Sequence, residues 1–197
     1  MNKLFIILFV LCSLNTFAQK KVASYHSDYF DADYEILVST EKDDPSTLTN
    51  VYIEVPGERK TQTVTLDYKN PNMLLSSLKE VREKYAEWVK VAEDNHITDM
   101  RKTIPVDIPP VTVCWYGTKW FFSFNNRLKF DFMILDSGKK IICMTTKVTA
   151  SSNKYIDQKL YWVFQSVAEL DEFIKKLDYS KFIEKLNVSS NNADLFK

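Results

Sequence analysis

Glycine is almost missing from this chain, with three in 197 residues. Gly57, Gly117 and Gly138 stand far apart, in "VPGERK", "WYGTKW" and "LDSGKK". A phosphate-cradling loop needs several backbone N–H groups brought close to the ligand, so neither a P-loop nor a dinucleotide fingerprint exists here. Each glycine is expected at a hairpin turn instead. Histidine is rarer still, with only His26 and His96. No H-E-x-x-H and no Cys/His spacing suited to zinc occurs. A G-x-S-x-G elbow is also missing. The pattern S-x-x-K appears four times, at Ser39, Ser76, Ser137 and Ser151. Four hits without S-D-N or K-T-G carry no catalytic meaning. A cofactor is not expected.

Net charge is missing too. Lysine plus arginine number 26, as do aspartate plus glutamate. No basic field draws the chain to nucleic acid or to an anionic membrane. The one long apolar run is Leu4 to Leu14, about eleven residues, short of the ~20 that span a bilayer. Lys3 precedes it and Thr16-Phe17-Ala18 follows. That order predicts a secretory signal peptide over 1–18 and a mature chain from Gln19, periplasmic or extracellular. Cys12 follows Leu11, whereas a lipoprotein anchor wants a small residue there. No later segment is apolar enough to cross a membrane.

The remaining residues are read as one α+β domain over 19–186 with a flexible tail over 187–197. Residues 19–32 are polar and mixed, and read as a loose arm. Strands are expected at 33–40, 50–55 and 61–68, the last two joined through Pro56-Gly57. Leu74, Leu78, Val81, Tyr85, Trp88 and Ala92 recur at spacings of three and four, which predicts a long helix from Pro71 to about Glu93. "DMRKTIPVDIPP" reads as an extended connector. Strands follow near 111–116, 119–125, 128–135, 139–148 and 157–165. Ser166 with Glu169 three residues on forms a capping box for a helix carrying Leu170, Phe173, Ile174 and Leu177. Phe182, Ile183 and Leu186 continue it or form a second short helix. The fold class expected is an antiparallel β-meander with a long central helix and a C-terminal helix packed on one face.

"WYGTKWFF" (115–122) places five aromatic residues in eight. With Gly117-Thr118 as a two-residue loop, Val111, Val113, Trp115, Trp120, Phe122 and Phe124 share one face. Three-residue loops at 125–127 and 136–138 continue that face through Leu128, Phe130, Phe132, Ile142 and Met144, with Gly138 at a left-handed position. The aromatics are then core. The opposite face carries Tyr116, Lys119, Phe121, Asp131 and Met133 beside Cys114, Ile141 and Cys143. A partly apolar face with a few polar groups is either a ligand or partner surface or a half-covered sheet. In this register Cys114 and Cys143 lie about three strand spacings, ~14 Å, apart, so free thiols are expected despite the oxidising compartment.

Asp28, Asp31, Asp33 and Glu35 cluster in "SDYFDADYE". Their spacing fits no EF-hand, and a solvated acidic arm is the plain reading. The functional expectation is a non-catalytic binding module for an unknown protein or small molecule, acting through Tyr116, Lys119, Phe121, Asp131 and Met133. Two alternatives stand beside it: a helix–sheet pocket for a lipid or aromatic compound, and a hydrolase assembled from distant residues.

Overall fold

The computed structural model describes residues 19–41, 44, 47–58, 60–67 and 71–194. The expected signal peptide over 1–18 lies outside them, as does Tyr68. The described chain is α+β, with ten antiparallel strands and three helices. The strands are β1 (Lys20–Ser27), β2 (Ala32–Thr40), β3 (Leu48–Val55), β4 (Gln62–Asp67), β5 (Met100–Thr103), β6 (Val111–Tyr116), β7 (Trp120–Asn126), β8 (Asp131–Ile134), β9 (Lys140–Thr149) and β10 (Asp157–Phe164). The helices are α1 (Pro71–Asp94), α2 (Val167–Lys176) and α3 (Tyr179–Asp194). Among the described residues no helix is long and apolar enough to cross a membrane.

The strands form two sheets. One has the order β1-β2-β3-β4-β6-β7, the other β10-β9-β8-β5. The single meander expected for 111–148 is therefore split. The pairing of β8 with β9 matches expectation, with Phe132 opposite Ile142 and Asp131 opposite Cys143. Gly138 sits at φ +78° in the loop between them. However, β7 and β8 do not pair. The chain leaves β7 through Asn125, itself left-handed at φ 57°, and enters the other sheet.

The arm expected at 19–32 contains β1, which runs antiparallel to β2. A bulge between Lys21 and Ala23 breaks its alternation. Val22 and Tyr25 are both buried although three residues apart, so no period of two is visible in the letters. The connector at 99–110 hides β5, an edge strand with three exposed residues of four. α3 carries its backbone helix into the stretch read as a tail.

One continuous core joins both sheets and all three helices. α1 buries Leu74, Leu78, Val81, Tyr85 and Ala92, as its periodicity requires. Tyr85 donates its hydroxyl to the Lys140 carbonyl at 2.7 Å and meets Phe132 edge-on at 6.1 Å. Arg82 clasps Asp171 of α2 through two hydrogen bonds of 2.8 and 2.9 Å. α2 drives Phe173 between Tyr25, Trp162 and Phe164, with ring centroids 4.7 to 5.3 Å away.

At the start of α2 the serine half of the expected capping box forms, and Glu169 reaches other N–H groups. Ser166 caps it by accepting the Glu169 N–H at 3.1 Å. Glu169 accepts the N–H of Gln165 at 2.5 Å and that of Asp28, in the β1–β2 turn, at 3.0 Å. Burial raises its carboxyl above the ordinary value, and those two N–H groups hold the rise back. This carboxylate is thus a structural clasp between the two ends of the domain. Glu169→Ala strands two backbone donors and is expected to cost about 1–3 kcal/mol in urea unfolding.

Candidate functional site

The β6–β7 hairpin departs from expectation by one residue, and the departure decides which side chains face water. Tyr116 pairs with Trp120, so the loop is Gly117-Thr118-Lys119, not Gly117-Thr118. The Gly117 N–H donates to the Lys119 carbonyl at 2.9 Å, closing that turn. Side chains alternate along a strand, so the shift inverts all of β7. Phe121 goes inward, 6% exposed, and stacks on Trp115 at 5.8 Å and 28°. Ser123 follows it inward, its hydroxyl donating to Asn126 Oδ1 at 3.1 Å. Val111, Val113 and Trp115 are core, as expected. Trp120, Phe122 and Phe124 are not.

Those three rings stand on the outer face, 56%, 43% and 58% exposed, with Tyr116 beside them at 53%. Tyr116 and Trp120 meet edge to face at 5.6 Å. The Phe122 and Phe124 rings lie 5° from parallel with centroids 6.3 Å apart. Single exposed apolar residues are ordinary on a soluble protein, but four large rings on one hairpin face are not. The hairpin is held firmly. β6 pairs with β4, and the Ser151 N–H, in the β9–β10 turn, donates to the Phe122 carbonyl on the outer edge at 2.8 Å.

Beside the rings lies a shallow depression of about 450 Å³. Asn50, Tyr52, Thr65, Thr112 and Cys114 line it together with Gln19, Trp120, Phe122 and Phe124. Tyr52 pairs with Thr65, and Thr65 with Thr112, so these three form one row across β3, β4 and β6. Burial pushes the Cys114 thiol up, and Thr65 offers it a weak 3.8 Å contact. Cys114 and Cys143 are both free, as expected, now in different sheets.

The five site residues expected from the sequence do not share a face. Tyr116 belongs to the aromatic patch, and Lys119 is exposed in the turn, its amine 5.8 Å from the Phe121 ring. Phe121 is core. Asp131 and Met133 lie on β8, in the other sheet. Asp131 ties β8 to β5 by accepting from Arg101 at 2.8 and 3.1 Å and from Thr103 at 2.7 Å. The sequence reading missed Trp120, Phe122 and Phe124 because hydrophobicity favours the wrong phase. The inward phase of β7 holds Phe121 and Ser123, and the outward phase holds three aromatics.

No protein family, curated protein or solved structure matches this chain.

Two other candidates raised by the sequence are the helix–sheet cleft and the acidic turn. The helix–sheet cleft, lined by Trp88, Ala92, Met100, Lys102, Phe132 and Ile134, holds about 110 Å³. Ligand pockets are ordinarily ~300–1,000 Å³. Lys102 also sits over Trp88, 5.1 Å from the ring centre. In the acidic turn His26 bonds Asp33 at 3.0 Å and lies 3.8 Å from Asp31 and 4.0 Å from Asp28. Among the described residues no group of three or more His, Cys, Asp or Glu side chains is placed to hold a metal ion.

Two measurements check this geometry. Phe121→Ala is expected to cost about 3–5 kcal/mol of stability, and Phe122→Ala under about 1, by urea unfolding. A reversed order would mean β7 faces the other way. His26 should titrate above 6.5 because the Asp33 hydrogen bond favours its charged form. Its contribution to stability is then full below 6.5 and lost as pH rises through the higher folded value. An NMR titration should show Asp33→Asn moving the midpoint down.

Proposed function

We propose that this chain is an exported, non-catalytic binding module and that it binds through the aromatic face of β6 and β7. One observation carries the reading: Tyr116, Trp120, Phe122 and Phe124 remain about half exposed on a hairpin whose inner face is fully packed. Leaving four large rings in water forgoes roughly 1.5–3 kcal/mol for each that could have been buried. An occupant recovers that free energy on binding. Aromatic residues on a rigid strand also bind with little loss of side-chain freedom.

Export rests on Lys3, the run from Leu4 to Leu14, and the small residues at Thr16 and Ala18. The non-catalytic reading rests on where the chemistry-bearing groups sit. Glu169, the buried carboxylate, is occupied by two backbone N–H groups. His26 is among exposed carboxylates, and His96 closes the end of α1 at φ 53°.

Site-specific photo-crosslinking in the cells that make the protein tests the reading. A benzophenone amino acid at position 120 or 122 should yield a discrete adduct, and the same group at Tyr29 or Val91 should not. Those two controls are 52% and 46% exposed but lie on other surfaces. Equal labelling at all four positions would overturn the proposal.

A further inference from the structure

Resting on that reading, we infer that the occupant of the aromatic face is a neutral carbohydrate chain. The argument starts from charge. One residue in four of this chain is charged, yet among the described side chains that line the depression beside the rings none is. A site for nucleic acid, an anionic headgroup or an acidic glycan would place lysine or arginine there. A protein partner is ordinarily held by apolar or aromatic anchors inside a polar, partly charged rim. Here neutral hydrogen-bonding groups lie in the floor itself.

Those groups have capacity to spare. Asn50 reaches Ser39 at 3.4 Å, Tyr52 reaches the same hydroxyl at 3.4 Å, and Thr65 meets only the Cys114 sulfur at 3.8 Å. All are long contacts, weak beside an ordinary hydrogen bond of about 2.9 Å. A sugar ring has the matching chemistry. Its C–H face is apolar and stacks on an aromatic ring, and its rim of hydroxyls needs neutral donors and acceptors when desolvated.

The layout matches as well. The row Tyr52–Thr65–Thr112 crosses three strands and runs toward the ring-bearing strand β7. From β3 to β7 is three strand steps, ~14 Å at the usual spacing, which suits a short oligosaccharide lying across the sheet. The depression, at about 450 Å³, lies within the usual range for ligand sites. A peptide added to the β7 edge fits less well, because the Phe122 carbonyl on that edge is already taken by Ser151.

The test is an array of neutral and acidic glycans probed with the purified chain beginning at Gln19, followed by calorimetry on the best neutral oligosaccharide. Trp120→Ala should weaken binding by about tenfold or more, and Asn50→Ala by several-fold, with melting temperatures unchanged. Trp120→Phe should retain most of the affinity. Raising salt from about 50 to about 500 mM should leave it unaltered, since no ion pair is involved. Binding to acidic glycans alone, with steep salt dependence, would overturn the inference. So would an empty array together with a protease-sensitive adduct at position 120, although the binding face would then stand with a protein as occupant. Neutral glycan binding indifferent to Trp120→Ala would place the sugar elsewhere and overturn both readings.

Discussion

The outer surface of this protein is set by the stack of Phe121 on Trp115. A strand has only two faces, so placing Phe121 beneath the sheet commits Trp120, Phe122 and Phe124 to the top. Nothing about those three side chains favours exposure in itself. They are carried there by a neighbour whose burial is worth more in that position. Three features hold the choice in place. The turn at Gly117-Thr118-Lys119 fixes the register, β6 is anchored to β4, and Asn126 satisfies the buried Ser123 hydroxyl. Asn126 also donates to the Ser123 carbonyl at 2.8 Å, where the pairing with β6 shifts. Local hydrogen bonding thus overrides what hydrophobicity alone would select.

Most of the framework is legible in the letters. α1 is recognisable because its stripe of Leu74, Leu78, Val81 and Tyr85 repeats at the helical period over about three turns. α2 is recognisable because Ser166 and Glu169 are a cap with a mechanism. The β8–β9 hairpin is recognisable because only Gly138 suits its left-handed corner. What is not legible has a common cause. β1 carries a bulge that erases its period, β5 is an exposed edge with no apolar face, and both phases of β7 are aromatic. Where pattern is absent or ambiguous, the partner strand decides, and pairing between distant strands is not written in either one.

The two-sheet arrangement gives the aromatic face its setting. With the meander split, β6 and β7 join the N-terminal strands, and the neutral side chains of β3 and β4 come to lie beside the rings. The site thus combines residues from Asn50 to Phe124, and no short motif could have announced it. Meanwhile Asp131, which looked available, is spent on Arg101 and Thr103 in holding β5 to its sheet.

The Glu169 clasp has a consequence for how the molecule assembles. It joins Asp28 to a residue 141 positions later, and Phe173 closes over Tyr25 from a similar separation. Contacts of that range form late, because a long loop must be closed before they contribute anything. The β6–β7 hairpin, by contrast, needs only a three-residue turn and forms on the microsecond scale. A newly unfolded chain therefore displays its aromatic hairpin before the core exists to shelter the inner half of it. During that interval both faces of β7 are sticky. Rings that the finished fold leaves on one face are, in the nascent chain, part of a larger apolar surface open to association until the last helix arrives.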